Sequence, residues 1–397
     1  MKKISLTNGP VLILMLYLLL FFLLGIDGLP ITHLPITFSF IVIVSLLVFL
    51  YMYFLNIQTS QLLVLFPFIL FNFLYVVRFT GEPLKILYQI FYVVLLYILM
   101  NIEWKKKQLK LVSVLVIPMI FFCLYLAINY QNEYILVTNI PFYNGNPNPN
   151  TVGAYGFLLS YFPAIYLTHR SRKIKIMGYS FFTLITVCIL WFSSARALLV
   201  AFMVTFGVIV IWNFIIKNRT IYNLFFAIIL VICFSFIVIY PNLDSILPNF
   251  NSWDSLMIRF TGKRLLSGRN TLWKFALQLI SEKPFWGHGS GAKLSDYFSS
   301  QLEAHNLYIN IAFQVGIIGI LTFVVGLWML WNQFWENYKS PRVKISAGYF
   351  VGIIIYQMFE ITILQSGFER GVLPWIIFGM GLSFSKINEP DNDKYTL

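Results

Sequence analysis

Apolar residues in this chain run in blocks of membrane length, divided by short polar or basic joints. A helix needs about 20 mainly apolar residues to cross the hydrocarbon layer. On that measure the pattern predicts spans over 11–26, 36–55, 62–79, 84–101, 111–130, 152–168, 176–193, 196–216, 222–240, 306–332, 345–365 and 371–387, twelve in all. The first block follows Lys2 and Lys3, but no small-residue cleavage site comes after it and a second span begins within ten residues. It reads as a retained helix rather than a signal peptide. One joint departs from the short pattern: 241–304 is a mainly polar stretch between two spans. Structureless loops of that length are uncommon unless they have a function. Inside it, Thr271 to Ser281 reads as a short amphipathic helix, with Leu272, Phe275, Ala276, Leu279 and Ile280 on one face. Trp273 and Trp286 suit a membrane interface, so the loop is expected to lie on the membrane surface. The pattern thus predicts an all-α polytopic membrane protein of about 12 transmembrane helices with one large external loop containing short helices. Its parts are helices one to nine (1–240), the loop (241–304), and three further helices with a short tail (305–397).

Composition agrees with that pattern, and charge orients it. Of 397 residues, 59% are hydrophobic and 11% charged, with a mean hydropathy of +0.79; a soluble domain carries about 25% charged residues. The basic residues fall on alternate connections: Lys2 and Lys3, Lys105–Lys107 with Lys110, Arg170 to Lys175, Lys217 with Arg219, and Lys339 to Lys344. The joints Asp27–Pro35, Gln131–Asn150 and Ser366–Arg370 hold one Lys or Arg between them. Lys and Arg accumulate on the cytoplasmic side, which predicts a multi-pass plasma-membrane protein with both termini inside and 241–304 outside. The formal charge of +13 is then mostly a topology signal. No contiguous basic surface for nucleic acid is expected. Cys123, Cys188 and Cys233 all lie in apolar runs, so no disulfide framework or thiolate metal site is available to the loop.

Ionisable groups in or beside spans are candidates for function. Arg78 and Glu82 stand near an outer helix end, where mutual pairing and snorkelling are both open. Glu360 falls deep in the eleventh span, either paired with an arginine of a neighbouring helix or protonated. Arg196 closes Ser193–Ser194–Ala195–Arg196 at an outer helix end, against the positive-inside bias. In the loop, Ser267–Gly268–Arg269–Asn270 leads into the amphipathic helix. Arg269 would therefore stand at a helix N-terminus, where free N–H groups and the dipole favour an anion. An exposed arginine in a capping region is the competing reading. Lys263 and Arg264 either add positive charge there or are solvated. Phe285–Trp286–Gly287–His288–Gly289–Ser290–Gly291 has no βαβ unit around it, so it reads as a tight turn with a structural His288 rather than a nucleotide loop. His305, after Glu303 and before Asn306, puts an imidazole at the membrane boundary, where it can act as a base. His33, His169 and His288 form no evident metal set with it.

The run Ser267–Gly268–Arg269–Asn270–Thr271–Leu272–Trp273, then Lys283 to Gly289, then His305–Asn306 resembles the O-antigen ligase and polymerase superfamily. His305 and Asn306 are followed by nine residues, Gly316, two residues and Gly319, as in the ligase-like pattern, and the detailed likeness covers 190–325. The resemblance implies a membrane glycosyltransferase of GT-C-like fold, acting on a glycan carried by a polyprenyl diphosphate at the outer face of the plasma membrane. It implies that Arg196 and Arg269 contact the diphosphate and that His305 assists the acceptor hydroxyl. Asn306, Glu303, Arg264 and Glu360 are expected in support. Inversion at the anomeric carbon is expected, with neither metal nor cofactor. Expected partners are the lipid-linked oligosaccharide, the bilayer, a chain-length regulator and a flippase, with no nucleic acid.

Within the superfamily the favoured reading is a polymerase of capsular or O-antigen repeat units. A ligase that moves a finished glycan to another acceptor is the alternative. One departure bears on the polymerase reading: the outer joint near 131–151 carries no basic residue. A flippase or other transporter is the non-enzymatic alternative, disfavoured by a single deep carboxylate, the lack of a half-repeat and one dominant loop.

Overall fold

The computed structural model describes residues 59–78, 83–136, 149–261, 264–266, 268–297, 303–364 and 368–386. The expected spans 11–26 and 36–55 lie outside them. The described residues form α1 (Thr59–Val77), α2 (Pro83–Leu99), α3 (Lys106–Leu136), α4 (Pro149–Leu159), α5 (Tyr161–Leu167), α6 (Arg172–Phe192), α7 (Arg196–Ile215) and α8 (Arg219–Ile239). Short helices α9 (Leu243–Ile246), α10 (Phe250–Thr261) and α11 (Arg269–Glu282) follow, then α12 (Leu307–Phe334), α13 (Pro341–Tyr356) and α14 (Phe368–Ser385). No strand occurs among the described residues. The described residues are all-helical in their regular structure, and the chain is a polytopic membrane protein, as the hydropathy pattern predicts. Five of the described helices are long and apolar enough to cross a membrane: α3, α6, α7, α8 and α12.

Helix α7 shows why these blocks become spans. Its buried residues are Leu198, Ala201, Thr205, Val208, Trp212 and Ile215, spaced alternately by three and four as one helix face requires. The opposite face exposes Met203, Phe206, Val210 and Phe214. In water an exposed face of that kind would be polar; a face apolar all round with only one side packed is a face for lipid. Helix α13 is the packed centre, with nearly every side chain from Arg342 to Tyr356 buried. It approaches α7 closely because Gly348 and Gly352 face Thr205 and Ala201, and a Cβ on Gly352 would stand 2.8 Å from the Ala201 carbonyl oxygen.

Two expected spans are interrupted. The block 152–168 breaks at Ser160 into α4 and α5, and Ser160 Oγ bonds the Phe157 carbonyl at 2.6 Å. The block 345–365 stops as a helix at Tyr356. Residues 357–364 run on irregularly, organised by Gln357, whose Oε1 accepts from the Thr362 and Ile363 backbone N–H groups at 2.9 and 3.2 Å. Glu360 therefore lies in an irregular segment beyond a helix end, not deep inside a span. Hydropathy could not find that stop, because the segment stays apolar while a side-chain amide replaces the helical hydrogen bonds.

Helix α12 carries a third irregularity. Gly316 has φ +71°, which kinks the helix and frees backbone groups in an apolar setting. The 283–289 turn fills the kink: His288 N–H bonds Phe313 O at 2.8 Å, Gly289 N–H bonds Gln314 O at 2.9 Å, and Ile317 N–H bonds Pro284 O at 2.8 Å. Irregular backbone is tolerated there because protein satisfies it. The fit is close enough that a Cβ on Gly316 would stand 2.2 Å from the Phe285 carbonyl oxygen. The turn thus wedges into a helix instead of merely re-entering the surface.

Candidate active site

Helix α11 is amphipathic as its spacing predicts, burying Leu272, Trp273, Ala276 and Leu279. Trp273 corrects the expectation of an interfacial ring: it is 1% exposed, and its Nε1–H donates to the Ala304 carbonyl at 2.7 Å. Its ring packs against Tyr240 and Phe236, with centroids 4.9 and 5.9 Å apart, and Phe236 meets Phe359 at 5.2 Å. A buried indole needs a partner for its N–H, and here that need clamps the backbone next to His305. Trp286 is exposed, consistent with an interfacial ring.

His305 is held by what flanks it. Asn306 is fully buried, caps α12 by accepting from Ile309 N–H at 3.0 Å, and donates to the Met358 carbonyl at 2.9 Å. Leu307 N–H bonds the Gln357 carbonyl at 2.9 Å. Between the Ala304 clamp and the Asn306 cap, His305 takes φ +46°, a left-handed conformation that a residue with a Cβ adopts at a cost of about 1–2 kcal/mol. The ring then faces the 357–364 segment: Nδ1 lies 3.1 Å from Glu360 Oε2. A carboxylate only accepts, so in the neutral ring Nδ1 carries the hydrogen and Nε2 is left with its lone pair.

Glu360 joins two parts of the sequence. Its other oxygen, Oε1, lies 3.5 Å from Arg269 Nη2, and Arg269 Nη1 donates to the Phe359 carbonyl at 2.7 Å. Of the two readings open for Glu360, the structure shows pairing with an arginine of another helix, Arg269 of α11. Arg269 opens α11 after Gly268, and no side chain caps that N-terminus. Arg196 opens α7 after Ala195, also without a side-chain cap. Both Nη atoms of Arg196 donate to the Arg264 carbonyl at 3.2 Å. Each of these arginines opens a helix with no side-chain cap, a placement suited to an anion.

The remaining candidates fall elsewhere. Arg264 meets Arg196 through its backbone carbonyl, and its own side chain is exposed. Glu303 is exposed and lines a neighbouring cleft. Arg78 donates to the Gly287 carbonyl at 3.1 Å, tying α1 to the wedged turn; Glu82 and Lys263 lie outside the described residues. His288 is structural, with Nε2 2.8 Å from the Leu279 carbonyl oxygen and its ring stacked on Phe313 at 4.9 Å. The contacts thus gather His305, Glu360 and Arg269 from three separate stretches, while Arg196 is held by the backbone of the 264–266 segment. Sequence reading put Glu360 among supporting residues and left an arginine partner open, but it had no signal that the arginine is Arg269 or that His305 is the second partner. The polar side chains of Tyr75, Gln89, Asn310 and Gln314, which stand near the same place, were missed altogether.

Comparison with known proteins bears on the same region. Residues 181–324 match the family described as O-Antigen ligase, close to the 190–325 expected from the motifs. An "O-antigen ligase" of Pseudomonas aeruginosa is 33% identical over 92 residues, which is 22% of this chain and 23% of that protein. The chain therefore spans about a quarter of the length of that relative. The resemblance of this region to the O-antigen ligase and polymerase superfamily is borne out.

Proposed function

We propose that the chain is a membrane glycosyltransferase that uses a polyprenyl-diphosphate-linked oligosaccharide and extends a surface glycan at the outer face of the plasma membrane. The arrangement that carries this reading is the shared carboxylate: Glu360 touches both His305 and Arg269, so a base and an anion site stand side by side.

The chemistry then runs in one displacement. Nε2 of His305 takes the proton of an acceptor sugar hydroxyl as that oxygen forms its bond to the donor's anomeric carbon. The bond from that carbon to the diphosphate oxygen breaks, and the electron pair leaves with the phosphate. Attack opposite the leaving group inverts the anomeric centre. Glu360 keeps the ring oriented and stabilises the imidazolium that forms, as a carboxylate does behind a catalytic histidine. Arg269 and Arg196 meet the growing charge on the diphosphate, where fixed donors contribute most. The arginines supply positive charge directly, so no metal is required in this scheme.

Repeat-unit polymerisation is the preferred form of the reaction. Transfer of a finished glycan to a different acceptor is the second reading, favoured by the names of the matching family and relative. Purified protein given a synthetic polyprenyl-diphosphate repeat unit should yield a ladder of longer glycans. A single product appearing only when a second acceptor is added supports the ligase reading instead. His305→Ala, Arg269→Ala and Arg196→Ala should each abolish either product, and chelators should leave it unchanged. Full activity in a correctly inserted His305→Ala protein refutes the assigned base.

A further inference from the structure

Beside the His305–Glu360–Arg269 group lies a small open-mouthed cleft of about 50 Å³. Its wall is a row of neutral hydrogen-bonding side chains from three helices. Tyr75 of α1 donates to Gln314 Oε1 and stands beside the amide of Gln89 in α2. Asn310 donates to the same oxygen at 3.2 Å, and Gln314 Nε2 donates to the Ala292 carbonyl at 3.0 Å. Asn310 and Gln314 are four residues apart on α12, so they share a face. Nothing in the Glu360 chemistry uses any of these groups.

One of them is unmatched. Gln89 is 3% exposed and lines the cleft, yet its side-chain Oε1 has no hydrogen-bond partner among the described residues. A buried amide oxygen left unpaired is unfavourable and invites a donor from whatever enters. Among the described residues, the charged ones lining the cleft are Lys293 and Glu303, both exposed and opposite in sign. Leu294, Ile361 and Leu364 supply apolar patches between the polar groups, as the faces of a sugar ring require. Amides, a phenol and a serine at fixed positions suit a ligand dense in hydroxyl groups.

Its location gives the cleft a role. Ala304 and Ile361 line it, and they are the chain neighbours of His305 and Glu360, whereas neither Arg269 nor Arg196 contributes to it. Displacement with inversion needs the incoming hydroxyl and the leaving diphosphate on different sides of the anomeric carbon. We infer that this cleft holds the terminal sugar of the acceptor glycan and presents a hydroxyl to His305, with Gln89, Asn310 and Gln314 reading the sugar. The assignment rests on the transfer reaction proposed above for the role of the sugar as acceptor, but its binding part can be tested without that reaction.

The probe is the mixture of free oligosaccharides released by mild acid from the host's polyprenyl diphosphates, which carry neither lipid nor phosphate. Binding to the full chain in nanodiscs is followed by saturation-transfer NMR and calorimetry. Gln89→Leu and Asn310→Leu should each weaken binding about tenfold, while Arg269→Ala leaves it unchanged. Lys293→Gln, at the exposed mouth, keeps the test informative if a buried variant fails to fold. In transfer assays the same leucine variants should raise KM for the acceptor with little change in donor KM. Undiminished binding in variants that melt like the parent, or no binding by the parent, overturns the assignment. Variant-sensitive binding in a protein that transfers no glycan keeps the sugar cleft and rejects the transferase reading.

Discussion

Replacing Glu360 by glutamine separates the two duties of that side chain, and their signs differ. The carboxylate stands 3.1 Å from His305 Nδ1, and at an effective dielectric of about 20 a full charge pair at that distance interacts by about 5 kcal/mol. The His305 side chain is 39% exposed and Glu360 17%, so solvent screening reduces the usable part to about 2 kcal/mol, in the range of a charge-assisted hydrogen bond. The imidazolium exists only once the acceptor has given up its proton, so that loss falls on the transition state. The expected result is a fall in the single-turnover rate of about 30-fold. The other carboxylate oxygen, 3.5 Å from Arg269, competes with a bound diphosphate for the guanidinium. Removing its charge should therefore leave donor affinity unchanged or make it a few-fold tighter. Single-turnover transfer and donor binding, measured on the same nanodisc preparation, give both quantities. A merely structural Glu360 would weaken both together. An unchanged rate, or a slower rate with equally weakened donor binding, refutes the assigned role.

Three further perturbations test the scaffold. His305→Gly removes the imidazole but accepts the left-handed φ of +46° without strain, so activity should fall at least 100-fold while the melting temperature holds; a large loss of stability would mark His305 as structural. Gly316→Ala forces a Cβ to 2.2 Å from the Phe285 carbonyl at φ +71° and should destabilise by about 3 kcal/mol or prevent folding. Gly319→Ala, whose nearest contact is the Val315 side chain, should be milder, and equal melting temperatures for the two would contradict the wedge. His169, beyond the end of α5, has its pKa lowered to about 4 by burial and then by Arg342, Lys106 and Lys175. It is neutral when folded and takes up a proton on unfolding below its ordinary pKa of about 6.5, so stability should fall as pH drops from 7 towards 4. At pH 5 the effect is about 2 kcal/mol for an enclosed group and about half that for a half-buried one. His169→Gln should flatten the pH dependence of the melting temperature between pH 7 and 5, and an unaltered slope would exclude His169 as its source.

Membrane-length apolar blocks, the amphipathic face of α11 and the His305–Asn306 to Gly316 and Gly319 spacing were legible from the chain alone, because each is a local pattern. A span declares itself through some 20 neighbouring residues, and a glycine under a close contact tolerates few substitutes. Arg196, Arg269 and His305 could be proposed as a set only through resemblance, since nothing local relates residues so far apart. What the local pattern misjudged follows the same logic. Trp273 looked interfacial because a tryptophan beside an apolar run usually is, yet its N–H finds Ala304 across 31 residues. Glu360 looked like a mid-membrane carboxylate because the run from 345 to 365 stays apolar, and the amide of Gln357 ends the helix without altering hydropathy.

The sequence by itself determined that this is a many-helix membrane protein with a polar segment at 241–304 and arginines at the starts of two helices. Tertiary structure alone decided that Glu360 links Arg269 to His305, that the 283–289 turn fills the kink at Gly316, and that five neutral polar side chains line one cleft. The physical division is one of range. Transfer free energy and helical periodicity are written in consecutive residues, whereas pairing of charges and completion of freed backbone hydrogen bonds depend on which segments packing brings together.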